Sequence, residues 1–531
     1  MYWPSEVIEK IQRDVVPPFH VDDMKTPSGQ IHIGSLRGVI IHDVIHKELL
    51  KKGLESRYTY IYNDMDPMNK VPVYLSGLGY ENDLGKPLFK IKSPEGKLNY
   101  AQFYANIFTG VFNVLGAHPE VIFSSDLYSA GKFNSTIRES LDKVKYIRKI
   151  YTDIAGYEKP EGWYPLQVIC PNCGKVGTSL VTSWDGAKVD FECKEDLVSW
   201  AKGCGHKGRI SPFDGNAKLM WKVDWPAHWK VLGVNIEGAG KDHTSAGGSR
   251  DIANQLCGLF NIPVPLDVPY EWFLTKEGGK MSTSKGIGMY AKELIEVLPP
   301  EVARFLILRT HYNTAILFDP NGETFLDLFD EFDRCAKFFY EKDDKNVDLA
   351  QYFEAGIIRD EFRTPTFLPR FRSIAMYVQM PSVDIYNWAA TEKGSDLTTF
   401  EKLVLEERVY SARQWLNKYA PEEFKFSFQE IIPELCSGLS HEQLLFLEEL
   451  LILLESKYLK NAVSGEDLQQ EIFEVAKKIG LSGKAAFEAL YIILLGKTNG
   501  PRAAWLLLDI GIEKVVERIN SVVAKFSPKS V

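Results

Sequence analysis

Long apolar runs are missing from this chain of 531 residues. No stretch approaches the roughly 18 uninterrupted apolar residues that a helix needs to cross a bilayer. The most apolar segments, around 444–454 and 489–495, are short or broken by glutamate. The opening Met1-Tyr2-Trp3-Pro4-Ser5-Glu6 lacks a basic segment followed by an apolar core. A secreted or membrane-spanning protein is therefore not expected, and a cytoplasmic one is. Positive charge is also in short supply: 62 Lys plus Arg stand against 71 Asp plus Glu, a net charge of −9. A nucleic-acid partner would have to be held by local basic and aromatic patches and not by overall charge. Internal repeats, low-complexity tracts and long linkers are absent as well. What remains is 45% apolar and 25% charged, enough to bury more than one core, so two to four domains are expected.

Cysteine is scarce but unevenly placed. Four of the seven fall in one stretch: Cys170-Pro171-Asn172-Cys173, then Cys193, then Cys204-Gly205-His206. A CxxC turn sets two thiolates on one side of a knuckle, at a distance that a tetrahedral zinc ion bridges. Cys193 and Cys204 complete a site for structural Zn2+, with His206 kept as a substitute ligand because ten residues separate those two cysteines. Disulfides are the competing reading, disfavoured in a chain without a secretory signal. Cys257, Cys335 and Cys436 are isolated and read as small buried apolar residues.

Two short segments carry the chemistry. In the first, an apolar-polar run over 19–24 suits a strand, Pro27, Ser28 and Gly29 force a turn, and Ile33, Leu36, Val39, Ile40, Val44 and Ile45 recur at helical spacing. This places His32 in the first turn of a helix, where free N–H groups and the positive dipole end favour a triphosphate. Gly29 and Gly34 let backbone or adenine approach closely. In the second, a strand over 270–275 leads through Gly278-Gly279 into Lys280-Met281-Ser282-Thr283-Ser284-Lys285-Gly286. The ammonium groups of such a loop offset charge on a leaving pyrophosphate, and Ser282 and Ser284 add hydroxyl donors.

Thr26-Pro27-Ser28-Gly29-Gln30-Ile31-His32-Ile33-Gly34-Ser35 and Lys280-Met281-Ser282-Thr283-Ser284-Lys285 resemble the two nucleotide-handling signatures of class I aminoacyl-tRNA synthetases, abbreviated HIGH and KMSKS. One departure is visible: Thr283 replaces the second lysine of the pattern, and Lys285 lies two positions later. Further segments are similar to class I lysyl-tRNA synthetases in order across nearly the whole chain: Asp64-Met65-Asp66 with Lys70-Val71-Pro72, 221–229, 238–243, 419–422 and 496–502. The resemblance implies ATP binding at Pro27, Gly29, His32, Gly34, Ser35, Lys280, Met281, Ser282 and Ser284. It also implies catalytic roles for His32, Lys280 and Lys285, with Mg2+ accompanying the triphosphate. The implied substrates are lysine, ATP and tRNA(Lys).

The order of elements indicates an α/β fold: a Rossmann-type parallel sheet over 1–285, interrupted by the cysteine-rich insert at 160–210, with a connecting helical region at 286–345. Helices are expected over 294–309 and 324–340, a strand at 121–123 with a charged helix reaching about 157, and another strand at 234–236. The region 346–531 reads as all-α and, by the resemblance, as the anticodon-binding domain. It carries 21 Lys plus Arg against 26 Asp plus Glu, so any tRNA contact must be local. Arg370, Arg372, Arg413, Lys497, Arg502 and Trp505 form such groupings, because arginine beside an aromatic suits unstacked bases; salt bridges and core packing are the plainer alternative.

A lysine ammonium buried without a partner is costly, so the amino-acid site needs an acid. Asp22, Asp23, Asp64, Glu237 and Asp242 fall at strand ends or turns that can face it, and Trp221, Trp225 and His243 can wall the aliphatic stem. A class I synthetase for glutamate or glutamine, which needs a cationic pocket, and a non-catalytic tRNA-binding protein are the alternatives weighed. A small nucleotidyltransferase would lack the long helical region. The oligomeric state is open, a monomer included.

Overall fold

The structure is a computed structural model that describes every residue except 1, 157, 275–278, 280–287, 460–463 and 528–531. The segment 280–285, with Lys280, Met281, Ser282, Ser284 and Lys285, thus lies outside the described residues.

Helix α1 (Trp3–Asp14) precedes the strand β1 (Phe19–Lys25), and α2 (Gly34–Lys51) leads from it to β2 (Ser56–Tyr62). After α3 (Tyr100–Val114) comes β3 (Glu120–Phe123). The three strands pair in parallel in the order β1-β2-β3, with Phe19 opposite Ser56 and Thr59 opposite Glu120. Parallel neighbours need a crossover, and α2 and α3 supply it. On the free side of β1, single parallel bridges join Val21 to Ile236 and Ile236 to Leu266. The expected strand at 234–236 is therefore present only as one bridge residue extending the sheet.

Helix α2 is apolar almost all round, with Leu36, Val39, Ile40, Val44, Ile45 and Leu49 buried, as befits a helix enclosed on every side. Its buried polar residues find partners: Arg37 donates to the carbonyls of His311 (2.8 Å) and Thr314 (2.7 Å), and Asp43 pairs with Arg304 at 2.6 Å.

The expected charged helix to 157 is three helices, α4 (Ser124–Ser129), α5 (Asn134–Asp142) and α6 (Val144–Ala155), the last stopped by Gly156 in the left-handed region. An insert then runs through β4 (Leu166–Val168), β5 (Ser179–Trp184), β6 (Val189–Cys193), β7 (Lys207–Ile210) and β8 (Ala217–Leu219). The antiparallel pair β4-β8 closes it, wider than the 160–210 expected, and β5-β6-β7 form its own antiparallel sheet.

Helices α7 (Trp221–Leu232) and α8 (Ser249–Phe260) return the chain to the parallel sheet. Beyond the short strand β9 (Phe273–Leu274), the single helix expected over 294–309 is two: α9 (Ala291–Val297) and α10 (Pro300–Leu308). Pro299-Pro300 divides them, since a residue before proline is pushed out of the helical region and Leu298 is extended. Strand β10 (Ile316–Leu317) pairs in parallel with β9, and α11 (Glu323–Glu341) and α12 (Val347–Gly356) follow.

The chain forms two compact units, 1–319 with 334–364, and 320–333 with 365–531. The second unit takes up the chain from 365, and α12 packs with the first unit. The second unit holds α13 (Phe371–Tyr377), α14 (Ile385–Lys393), α15 (Thr399–Lys418), α16 (His441–Leu453), α17 (Gly465–Ile479), α18 (Gly483–Leu495), α19 (Ala503–Ile510) and α20 (Ile512–Phe526). Side chains of Thr398, Ser440, Ser464 and Ser482 cap the N-termini of α15 to α18. Leu447, Leu450, Ile472, Leu490, Leu507 and Ile519 belong to the common core of α16 to α20. Among the described residues no helix is long and apolar enough to cross a membrane.

Candidate active site and metal centre

His32 lies just before α2 and not within its first turn, because the helix begins at Gly34. Ile33 at the N-cap has no side-chain acceptor, and the His32 ring stands in for one, with Gly34 N–H donating to Nδ1 at 3.0 Å. In the neutral ring the proton is then on Nε2, which makes that atom the donor. A Cβ on Gly34 would stand 2.6 Å from the His32 ring, so the glycine makes room for the histidine itself. Gly29, with φ of +150° and Tyr74 Oη 2.7 Å from the place of a Cβ, is likewise required by its own turn. The chain that follows the second motif runs beside the first: Ile33 N–H donates to Met289 O (3.1 Å) and Ala291 N–H to Ile31 O (2.8 Å).

A cavity of about 180 Å³ opens here. His32, Gly34 and Ser35 line one part of it, and Trp221, Trp225, Glu237, Asp242 and His243 another, together with Asp23, Lys25, Tyr60, Tyr270 and Glu271. The sequence motif and six of the eight amino-acid candidates thus meet in one place. Pro27 and Gly29 are buried in the turn and do not line it.

Trp221, Trp225 and Trp229 recur every four residues on α7 and so share a face. Trp221 stacks on Trp225 at 5.1 Å, and the His243 ring lies 6.0 Å from the first and 5.8 Å from the second. Glu237 ties this wall to the sheet: the indole N–H of Trp225 donates to Oε1 at 2.9 Å and that of Trp229 to Oε2. Burial pushes the Glu237 carboxyl up to about 7, with Arg250 and the two indoles pulling it back. Arg250 stacks over Trp229 at 4.7 Å and donates to Glu237 O at 2.9 Å. Sequence reasoning did not single out Arg250, Tyr60 or Tyr270; only the packing of α8 against α7 brings Arg250 into play.

Asp64 does not line the cavity. Its Oδ1 accepts from Ser124 Oγ (2.9 Å) and Ser125 N–H (2.8 Å), fastening the start of α4. Asp22, too, is turned elsewhere and accepts from Thr59 Oγ1, since neighbours on a strand face opposite ways.

In the insert, Cys170, Cys173, Cys193 and Cys204 have their sulfurs within 4.8 Å of one another, with 3.7 Å between Cys170 and Cys204 and 3.6 Å between Cys173 and Cys193. Four thiolates around a zinc ion at about 2.3 Å lie about 3.8 Å apart, so the donor set fits a tetrahedral metal. His206 packs its ring on Phe191 at 5.8 Å, and the four cysteines form the set without it.

The chain matches the family model described as "tRNA synthetases class I (K)" over residues 1–356, and an anticodon-binding domain model matches 422–523. The chain belongs to the class I (K) tRNA synthetases. It is similar along nearly its full length to lysine–tRNA ligases of three archaea. The Archaeoglobus fulgidus enzyme is 34% identical over 93% of this chain and 95% of its own; that of Methanosarcina barkeri is 33% identical over 95% and 94%. That of Picrophilus torridus is 30% identical over 99% and 100%. This synthetase is accordingly a ligase with a Rossmann-type catalytic part and a helical anticodon-binding part.

In the second unit, Arg370 pairs with Asp330 (3.3 Å), and Arg372 with Asp330 (2.9 Å) and Asp327 (2.5 Å). Lys497 donates to the carbonyls of Glu422 and Lys425. These contacts are the ordinary ion pairs and backbone hydrogen bonds of the plainer alternative, and exposed pairs of this kind contribute little to stability. Arg413 is exposed. Arg502 is exposed and stacks over Trp505 at 5.3 Å, whereas Trp505 itself is half-buried against Gly465, where a Cβ would stand 2.5 Å from the indole.

Proposed function

We infer that this synthetase joins lysine to tRNA(Lys) through lysyl-adenylate. The lysine carboxylate attacks the α-phosphate of ATP and pyrophosphate leaves; a hydroxyl of the tRNA terminal ribose then attacks the mixed anhydride and AMP leaves. One observation carries the reading: the cavity that holds His32, Gly34 and Ser35 ends in a tryptophan wall and four carboxyl groups, Asp23, Glu237, Asp242 and Glu271. An acidic end suits a cationic side chain and repels the carboxylate of glutamate. None of these groups has to act as a nucleophile, so alignment and charge stabilisation supply the rate. In this reading His32 Nε2 donates to phosphate oxygens, and Lys280 with Lys285 serves the leaving pyrophosphate. Mg2+ enters with the nucleotide. Zn2+ held by the four cysteines fastens the insert. ATP–pyrophosphate exchange with a panel of amino acids tests the assignment: exchange that requires lysine is expected, and exchange driven by glutamate or glutamine refutes it.

The helical unit reads the anticodon in this account, with Arg502 as its cleanest probe because it is exposed. Arg502→Ala should weaken tRNA charging about 5- to 150-fold, the loss of one base-stacking guanidinium being worth roughly 1–3 kcal/mol. Lysine-dependent exchange, measured with and without tRNA, should stay near wild type. Equal loss of both activities means that Arg502 supports the fold instead. Trp505→Ala also removes the packing on Gly465 and should lower the melting temperature as well.

A further inference from the structure

We propose that Asp23 is the residue that reads the side-chain ammonium of lysine, through its Oδ2 atom. The proposal rests on the reading of the cavity as a lysine site and names the group that makes it selective.

Four carboxyl groups line the cavity, and three of them are already engaged. Glu237 has both oxygens held by the indoles of Trp225 and Trp229. Glu271 is paired with Lys241 at 2.7 Å, and Asp242 accepts from Trp272 Nε1 at 3.3 Å. Asp23 is different. Its Oδ1 accepts from Met24 N–H at 2.8 Å, but among the described residues no donor reaches Oδ2. The closest basic atom is His42 Nδ1 at 3.7 Å. That ring is committed elsewhere: Gly238 N–H donates to Nε2 at 2.8 Å, so the proton is on Nδ1, which donates it to Gly38 O at 2.7 Å. Burial holds His42 down at about 4, hence neutral.

Asp23 is therefore a carboxyl group, only 6% exposed, on the wall of a ligand cavity with one oxygen uncompensated. Burial first and the neighbouring Glu237 second push its pKa well up, with the Met24 amide and Lys25 drawing it back. Such a group is stabilised by an incoming cation, which supplies both the missing charge and the missing donors. The chain also keeps space beside it. A Cβ on Gly38 would stand 2.7 Å from Asp23 Oδ2 and 2.6 Å from Tyr270 Oη, so glycine at this place on α2 lets the carboxyl and the phenol both approach the helix.

ATP–pyrophosphate exchange with lysine, with ornithine and with norleucine, which has a methyl group where lysine has the ammonium, tests the proposal. Asp23→Asn should raise the Michaelis constant for lysine about 100-fold, as expected when one partner of a buried charge pair is removed, with kcat less affected and norleucine no worse a substrate. Asp23→Glu keeps the charge and brings it one methylene closer, so its ornithine-to-lysine preference should rise about tenfold. A lysine Michaelis constant for Asp23→Asn within about threefold of wild type overturns the proposal. If Asp23→Asn does not fold by circular dichroism, Asp23→Glu decides, and an unchanged ornithine-to-lysine ratio overturns it. A wild-type protein that gives no exchange with lysine refutes the ligase reading and this inference together, whereas normal wild-type exchange with an indifferent Asp23 refutes this inference alone.

Discussion

His32→Ala should lower adenylate formation by at least tenfold, and about 100-fold is expected for the loss of one preorganised donor to developing phosphate charge. The geometry explains why the ring suits that role. Gly34 N–H fixes Nδ1 as an acceptor, which leaves Nε2 protonated in the neutral ring and holds the imidazole in one orientation. Because His32 is only partly buried and its Nδ1 bonds within its own turn, the melting temperature should move little. Lysine-dependent exchange on purified His32→Ala, with a melting curve as control, reads both quantities. Exchange at the wild-type rate removes His32 from the mechanism, and a large fall in melting temperature reassigns it to the fold.

The second large effect is expected at the cysteines. Protein purified without chelators should hold one zinc ion per chain by elemental analysis, and Cys170→Ser/Cys173→Ser should hold none. Metal binding at such a site is folding free energy, on the order of 10 kcal/mol in small zinc modules. Cys170 and Cys193 are buried, Cys173 is half-buried, and the strand pairs are only three to five residues deep. The variant should accordingly become open to limited proteolysis between β4 and β8. Metal-free wild-type protein, or an insert equally resistant in the variant, defeats the assignment.

Much of this was legible in the sequence, for reasons that differ from place to place. The strand–turn–helix at the first motif was readable because proline, serine and glycine interrupt two clear periodicities; only the position of His32 slipped, since a helix start cannot be read to the residue when the cap is a ring acting from outside it. The CxxC pair was readable because ligand spacing is a local property. The division of α9 from α10 was also on view in Pro299-Pro300, and the apolar spacing on both sides concealed it. The acid that serves the cavity was not readable. Asp22, Asp23, Asp64, Glu237 and Asp242 are alike as letters, and only their partners separate them: Thr59 engages Asp22, the start of α4 engages Asp64, and two indoles engage Glu237. Arg250 left no local sign at all, because its role depends on the packing of α8 beneath α7.

The way α11 is divided has a consequence for synthesis on the ribosome. Residues 320–333 belong with a unit whose remainder starts at 365, while 334–364 complete the unit that precedes them. As the nascent chain emerges, the first unit can close only after residue 364. By then Phe325 and Phe329 are already outside the tunnel, yet the rings that will cover them, Phe371 at 3.7 Å from Phe329 and Trp415 at 5.6 Å from Phe325, have not emerged. At translation speeds of about 5–20 residues per second, the aromatic face of this half-helix stays uncovered for several seconds in every round of protein production.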